Sequence, residues 1–136
     1  MIYSETIFSP RWLSVFDQPQ PTGPVEDLPL IDERAMADWC GELDRADVLD
    51  LLARVPGECD KCLTGIKQAS AKGDLPAVKR MAHRLKGMAS NLGAARLAHM
   101  ARGIELASAD LADVAVRTVA LEKTVAATLE AIRVRA

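Results

Sequence analysis

The sequence predicts an all-α fold: an up-and-down antiparallel four-helix bundle preceded by a short extra N-terminal helix. From residue 31 onward, apolar residues recur at helical steps of three and four, and no segment shows the alternation of a strand. The 136 residues are 49% hydrophobic but only 4% aromatic, a composition that favours packed helices over a sandwich or barrel. Because the predicted helices are joined by short connections, neighbouring helices should run antiparallel.

The chain divides into a Pro-rich N-terminal extension, residues 1–30, and a helical domain, residues 31–136. Five of the seven prolines lie in the first 30 residues, and proline at this density blocks helix interiors. Residues 17–30 are therefore predicted to form an extended linker. Residues 1–16 are more apolar than an ordinary tail, and the sequence leaves open whether they dock on the bundle, bind a partner or form a loosely held extension.

The first two helices of the domain are predicted from their caps and apolar periodicity. Asp32 suits the N-cap of a helix of about ten residues that ends near Gly41. The second helical stretch covers residues 46–72, and Pro56-Gly57 within it predicts a kink or a break. The apolar residues that give this stretch its helical period are Val48, Leu49, Leu52, Val55, Leu63, Ile66 and Ala69.

Three further helices follow, and glycines separate the first of them from its neighbours. Gly73 is a natural helix end, Asp74 caps a helix over residues 75–92, and Gly93 ends that helix. The fourth and fifth helices are predicted over residues 94–107 and 110–134. The apolar stripe of the third helix consists of Val78, Ala82, Leu85, Ala89 and Leu92.

The distribution of charge is uneven along the chain. The formal net charge is −2, which argues against a general nucleic-acid or membrane-surface binder. The window from Asp74 to Arg102, however, contains six basic residues and one acidic residue. This window therefore carries a net charge of +5, and the rest of the chain carries −7. Such a window is either a solvated helix face or a surface that binds an acidic partner.

The cysteines and the hydropathy of the chain indicate a protein of the cytoplasm. Three cysteines cannot all pair, and a reducing compartment is the simpler interpretation. No apolar run approaches the ~18 residues of a membrane helix, and the N-terminus does not resemble a secretory signal. Cys59 and Cys62 form a C-x-x-C pair without a second pair, so we expect partly buried free thiols rather than a zinc site.

A histidine lies on the side of the third helix that points away from the apolar stripe. Steps of three and four place a set of residues on that side: Lys79, Arg80, His83, Lys86, Gly87 and Ser90. Glycine inside a helix costs about 1 kcal/mol relative to alanine, and neither a turn nor a kink requires Gly87. Without a Cβ at this position, another molecule can approach the His83 ring closely.

These residue types are suited to phosphoryl transfer. A neutral imidazole is a nucleophile near neutral pH and forms covalent phosphoryl intermediates. Lys86 supplies a mobile positive charge suited to phosphate oxygens. Phosphoryl transfer otherwise requires mainly positioning and neutralising charge, and no carboxylate cluster for magnesium lies nearby in the sequence. We therefore expect no cofactor of this chain's own and expect the metal to come from a partner.

The run from His83 to Ala94, HRLKGMASNLGA, resembles the core motif of histidine-containing phosphotransfer (HPt) domains. The similarity includes the histidine, the Leu-Lys-Gly that follows it, the small residues and the closing glycine, and it extends over about residues 32–134. The resemblance implies that His83 is the phosphoacceptor, that Lys86 steadies the phosphoryl group and that Gly87 provides clearance. It also implies receiver domains of response regulators or hybrid kinases as partners, with magnesium in the receiver. The residues expected to contact the partner are Lys79, Arg80, Arg84, Ser90 and Asn91.

Two alternatives to this interpretation remain at the sequence level. A non-catalytic helical adaptor would carry His83 incidentally. The phosphoacceptor hairpin of a histidine kinase usually has an acid after its histidine and a proline soon behind, whereas Arg84 follows here and no later proline occurs. We interpret His99, which has no comparable neighbours, as a surface residue. A self-contained bundle with no obvious second seam predicts a monomer.

Overall fold

A computed structural model describes residues 28–135, and within them the fold is entirely helical. The predicted all-α class and the short helix before the bundle are confirmed. In chain order the helices are α1 (Glu33–Cys40), α2 (Arg45–Ala71), α3 (Leu75–Leu92), α4 (Ala95–Ala107) and α5 (Leu111–Arg135). Helices α2 to α5 form the bundle: α3 packs against α2 and α4, and α5 packs against the same two helices from the other side. The predictions for residues 1–27 lie outside the described residues.

The predicted helix ends between α2 and α4 are confirmed by their cap geometry. Asp74 accepts a hydrogen bond from the Ala77 amide at 3.1 Å, as an N-cap aspartate does. Gly73 and Gly93 have φ angles of +73° and +86°, in the left-handed region that a residue with a Cβ adopts only with strain. The Asp74 side chain and the left-handed conformation of Gly73 and Gly93 therefore define where α3 begins and ends. The helix ends in turn determine which residues lie midway along α3.

A kink or a break was predicted at Pro56-Gly57; helix α2 runs without interruption through Pro56, so the break is wrong. A proline removes one helical hydrogen bond and crowds the preceding turn. The flanking Val55 and Cys59 are buried in the core, and their packing favours a continuous helix.

The core is formed by small and medium aliphatic side chains from all five helices. The fully buried members include Ile66 of α2, Leu85 of α3, Ile104 of α4 and Leu121 of α5. The α3 stripe is buried as predicted except for Leu92, which is half-buried, and Leu49 of α2 is exposed. The free thiols predicted for the C-x-x-C pair are confirmed, and Cys59 and Cys62 are buried more completely than expected, at 1% exposure each.

The segment before α1 is held against the turn between α3 and α4. The Asp32 amide donates to the Gly93 carbonyl at 2.6 Å, and the Arg96 side chain donates to the Leu28 carbonyl at 2.9 Å. The Trp39 indole donates to the Leu92 carbonyl at 3.1 Å. A Cβ at Gly93 would lie 3.2 Å from the Asp32 carbonyl oxygen, so a side chain here would force the N-terminal segment to shift.

Helix α5 buries hydroxyl groups in the bundle. Thr118 and Thr128 each donate to the carbonyl four residues earlier in the helix, both at 2.7 Å. Thr124 donates to the Met100 sulfur at 2.9 Å. All three hydroxyls thus have partners, and their burial carries little of the penalty for an unsatisfied polar group.

Among the described residues, no helix combines the length and apolar character needed to cross a membrane.

Candidate functional site

His83 lies midway along α3 with its side chain 63% exposed, on the outer face as predicted. Its ring is fixed by a residue of the next helix, because Nδ1 lies 2.6 Å from Oε2 of Glu105 on α4. The same carboxylate reaches the lysine one turn after the histidine, with Oε1 of Glu105 at 3.1 Å from Nζ of Lys86. One carboxylate therefore joins the two side chains that the sequence identifies as nucleophile and phosphate-binding cation.

Glu105 is the residue that sequence analysis missed. Its side chain is only 17% exposed, and Oε1 has the Lys86 ammonium as its charge partner without a well-aligned hydrogen bond. Burial pushes the pKa of Glu105 upward, but its contacts with Lys86 and His83 outweigh burial and leave the pKa below its ordinary value. Glu105 is therefore ionised at neutral pH.

An ionised Glu105 decides which imidazole nitrogen of His83 carries the proton. A carboxylate accepts hydrogen bonds only, so the 2.6 Å contact requires a proton on Nδ1. In a neutral ring, Nε2 then holds the free lone pair. Nε2 has no hydrogen-bond partner within residues 28–135. The site thus presents one nucleophilic nitrogen outward and anchors the other.

Gly87 has no packing reason to be glycine. A Cβ at this position would meet nothing within 4 Å, whereas a Cβ at Gly65 would lie 2.8 Å from Met81 and one at Gly103 would lie 2.9 Å from Arg117. The space beside Gly87 is open and lies one turn from His83. This geometry agrees with the predicted clearance, because the glycine costs helix stability and nothing inside the described chain needs the room.

The predicted partner-contacting residues differ in accessibility. Arg80, Arg84 and Asn91 are exposed and Lys79 is half-buried, all on the outer side of α3. Arg84 is paired with Glu58 of α2 at 3.2 Å. The basic window is therefore partly neutralised by acids from both neighbouring helices, one at Arg84 and one at Lys86. Lys79 and Arg80 form no ion pair within the described part of the chain.

The prediction that Ser90 lies on the exposed face is wrong. Ser90 is 6% exposed, and its hydroxyl donates to the Lys86 carbonyl at 2.6 Å. It lies in the last turn of α3, where α1 and α4 converge on the helix, and a serine hydroxyl there is satisfied by its own helix. The Ser90 hydroxyl is therefore occupied within α3, and its burial keeps it from a partner.

The other chemically active side chains are poorly placed for catalysis. Burial, the neighbouring Cys62 and Glu58 raise the pKa of Cys59 to about 11, so this thiol stays protonated and unreactive. His99 is half-buried rather than a fully exposed surface residue, and burial together with Arg102 lowers its pKa. Across residues 28–135, no group of three or more His, Cys, Asp or Glu side chains is arranged to hold a metal ion.

The contact between His83 and Glu105 follows from the antiparallel arrangement of α3 and α4. The two residues lie on either side of the turn at Gly93, ten residues before it and twelve after it. Residues at similar distances from a tight turn between antiparallel helices lie side by side. The similar number of residues from Gly93 to His83 and from Gly93 to Glu105 is the feature of the sequence that would have predicted this contact.

Comparison with protein families identifies the family of the chain. A family model described as Hpt domain matches residues 50–134, which is more than half of the chain and includes α3, α4 and nearly all of α5. No curated protein and no solved structure matches the chain. The chain belongs to the family of histidine-containing phosphotransfer domains, which carry phosphoryl groups on a histidine in phosphorelays.

Proposed function

We propose that this chain is a phosphorelay intermediate that accepts a phosphoryl group on His83 from the aspartyl phosphate of one receiver domain and passes it to another. The observation that carries the proposal is the hydrogen bonding of the His83 ring, which determines which ring nitrogen carries the proton. Nδ1 is held by Glu105 at 2.6 Å, and the exposed ring presents Nε2 without a partner among the described residues. The same ring could not act in this way if its outward nitrogen carried the proton.

The transfer step needs no group beyond the two proteins. The Nε2 lone pair attacks phosphorus, the P–N bond forms, and the bond between phosphorus and the aspartyl oxygen breaks so that the carboxylate leaves with the electron pair. The proton on Nδ1 stays hydrogen-bonded to Glu105, which balances the positive charge that develops on the ring. Transfer to a second receiver is the reverse of these events.

Lys86 stabilises the phosphoryl group in this proposal. Its ammonium lies beside Glu105 and one turn from His83, with a side chain 23% exposed. A phosphoryl group on Nε2 would add negative charge near this ammonium, and Lys86 would then interact with both the phosphoryl oxygens and Glu105. Glu105 thus acts as the positioning residue for both the ring and the cation.

The receiver domain would bring the acidic pocket and the magnesium ion that this chain is not expected to supply. Lys79, Arg80, Arg84 and Asn91 surround His83 on the outer side of α3 and would contact that partner. Complementary charge of this kind mainly accelerates association and fixes orientation. The open space beside Gly87 would allow the receiver to reach the imidazole.

Phosphate would then enter and leave by transfer alone, because the proposed role is that of a stoichiometric carrier and not of a kinase. We place this reaction in the cytoplasm, where three free cysteines are chemically stable. The proposal does not depend on which receivers act as donor and acceptor.

The test is phosphotransfer from phosphorylated receiver domains of the source organism to the purified chain. We expect acid-labile, base-stable phosphate on the chain, and we expect His83→Gln to abolish it. His99→Gln is the matched control, since it removes the other histidine and should leave labelling unchanged. An absence of labelling from every receiver would favour the adaptor interpretation, and labelling by ATP alone would favour an autokinase.

A further inference from the structure

The ion pairs at His83 leave a phosphoryl group short of positive charge. Glu105 lies 3.1 Å from the Lys86 ammonium, so the negative charge of this carboxylate offsets the positive charge of the lysine. A phosphoryl group on a side chain carries a charge of about −1.5 to −2 near neutral pH. Even with a positive charge on the His83 ring, the phosphorylated site would hold excess negative charge. A second cation close to His83 would correct this imbalance.

Arg102 of α4 lies where such a cation is needed. It precedes Glu105 by three residues, Lys86 follows His83 by three residues, and α3 and α4 run antiparallel. One turn from the contact between His83 and Glu105 toward Gly93 therefore leads to Lys86 on α3 and to Arg102 on α4. The two cations thus lie on the same side of the phosphoacceptor, one on each helix.

The packing of α4 places Arg102 at the edge of that helix that faces α3. Gly103 faces α5, because a Cβ at this position would lie 2.9 Å from the Arg117 side chain. Glu105 faces α3, where it contacts the His83 ring. Residues three apart on a helix share a face, so Arg102 belongs to the same edge as Glu105.

The guanidinium of Arg102 has no anionic partner of its own. Arg102 is half-buried and forms no ion pair or hydrogen bond with residues 28–135. Burial and the nearby Arg102 charge both lower the pKa of His99, so the guanidinium lies beside a group that offers it no negative charge. Other arginines of the bundle do pair with carboxylates, namely Arg54, Arg84, Arg117, Arg133 and Arg135.

We propose that Arg102 is a second phosphoryl-binding residue, an inference that rests on the proposed function. Its guanidinium binds oxygens of the phosphoryl group on Nε2 of His83 from the α4 side, while Lys86 neutralises the group from the α3 side. A planar guanidinium donates two parallel hydrogen bonds to two phosphoryl oxygens, whereas an ammonium acts as a point charge. The space beside Gly87, where a Cβ would meet nothing within 4 Å, leaves room for this contact.

The contact between Arg102 and the phosphoryl group has a consequence for the direction of transfer. It exists only in the phosphorylated chain, so Arg102 stabilises that state and not the free one. A contact made in one of two states shifts the equilibrium toward that state. Arg102 therefore raises the share of phosphate that this chain holds at equilibrium with a receiver domain.

The experiment is urea unfolding of the full chain at neutral pH before and after labelling with phosphoramidate, which needs no receiver. Labelling should stabilise wild type more than Arg102→Gln, with a difference of about tenfold in the unfolding equilibrium constant. Arg102→Lys should keep a smaller part of this difference, since the charge remains and the planar fork is lost. Arg34→Gln is the matched control, because Arg34 also forms no ion pair within residues 28–135 but lies on α1, and it should match wild type.

NMR of the isotope-labelled wild-type chain locates the contact directly. The Nε–H resonance of Arg102 should shift when phosphoramidate labels His83, and it should stay in place in His83→Gln treated in the same way. Equal stabilisation of wild type and Arg102→Gln, or an unmoved Arg102 resonance in the labelled chain, overturns the inference and leaves the proposed function intact. A wild-type chain that neither phosphoramidate nor any receiver labels on His83 overturns both.

Discussion

Helices α3 and α5 lie diagonally across the bundle and both bury aliphatic residues, but they differ in the polar groups that they bury and in the residues that they expose. Helix α3 buries Val78, Ala82 and Leu85 and exposes charge. Helix α5 buries three threonines beside aliphatic residues such as Leu121, and it exposes valines. The difference shows that the residues on the outer face of a helix are informative only when they are compared with the residues that the same helix buries. A charged outer face is ordinary for a bundle helix. His83 stands out on this face because Glu105 holds one of its ring nitrogens and because the space beside Gly87, one turn away, is open. An apolar outer face needs a further explanation.

The largest effect is expected from filling the open space on α3. Gly87→Leu should reduce transfer from a phosphorylated receiver by about 100-fold or more, because the new side chain would stand where the receiver must approach. Stability should not fall, since a Cβ meets no neighbour there and leucine is a better helix former. The measurement is the rate of transfer, with melting temperature as the control.

Gly57→Leu is the control variant for stability. Gly57 is the other glycine within helices α2 to α5 at which a Cβ would meet nothing within 4 Å. Phosphoramidate, a small donor, should still label the Gly87→Leu chain on His83, since it needs no room for a protein. Normal transfer from a receiver would contradict the clearance argument.

The same substitution on the two helices should give unequal stability. Val78→Ala on α3 removes a fully buried side chain and should cost about 2 kcal/mol of unfolding free energy. Val119→Ala on α5 removes an exposed one and should change the monomer by less than about 0.5 kcal/mol, with a slight gain because alanine favours the helix. Urea unfolding at low protein concentration measures both. Equal losses would show that Val119 is buried within the monomer.

The carboxylate that links α3 to α4 should make stability depend on pH in a defined direction. Glu105 has a lowered pKa in the folded chain, so its stabilisation is complete above its ordinary pKa of 4.5 and is lost as pH falls through the lower folded value. Glu105→Gln should therefore cost about 1 kcal/mol near neutral pH. The gap between the two proteins should narrow below pH 4.5.

The readout for Glu105 is unfolding free energy measured from neutral to acid pH. Glu122→Gln is the matched control because Glu122 also pairs with a lysine, Lys67, but on the exposed surface between α5 and α2. That variant should show little loss at any pH. A gap for Glu105→Gln that widens toward acid would contradict the assigned ionisation.

The smallest effect is expected inside α5. Thr128→Val keeps the shape of a buried side chain and removes one hydroxyl whose partner carbonyl belongs to its own helix. Because that carbonyl keeps its backbone partner, the change should stay within about 1 kcal/mol of wild type in either direction. Thermal unfolding measures it. A large loss would show that the buried hydroxyls are part of a network that the described contacts do not include.

The sequence was sufficient for features that depend on local chemistry. Asp74, Gly73 and Gly93 define the ends of α3 through capping and backbone conformation, and both are readable from residue type. The alternation of steps of three and four identified the buried face of α3. The position of His83 on the outer face followed from the same period.

What the sequence missed depends on packing between helices. Glu105 lies 22 residues from His83, and no local pattern marks it as a neighbour. Ser90 has the period of the exposed face, but the convergence of helices near Gly93 buries it. Pro56 predicts a break from local rules, and burial of the residues on either side keeps α2 continuous. Each error reflects a tertiary contact that overrides a local preference.

The hydrogen bond from the Trp39 indole to the Leu92 carbonyl provides a built-in optical reporter. Trp39 is the only tryptophan in the part of the chain that the structure describes, and its ring environment changes when α1 leaves the turn between α3 and α4. With Trp12→Phe, emission would come from Trp39 alone. Fluorescence and circular dichroism followed together would then show whether α1 detaches with the bundle or opens first as a separate unit.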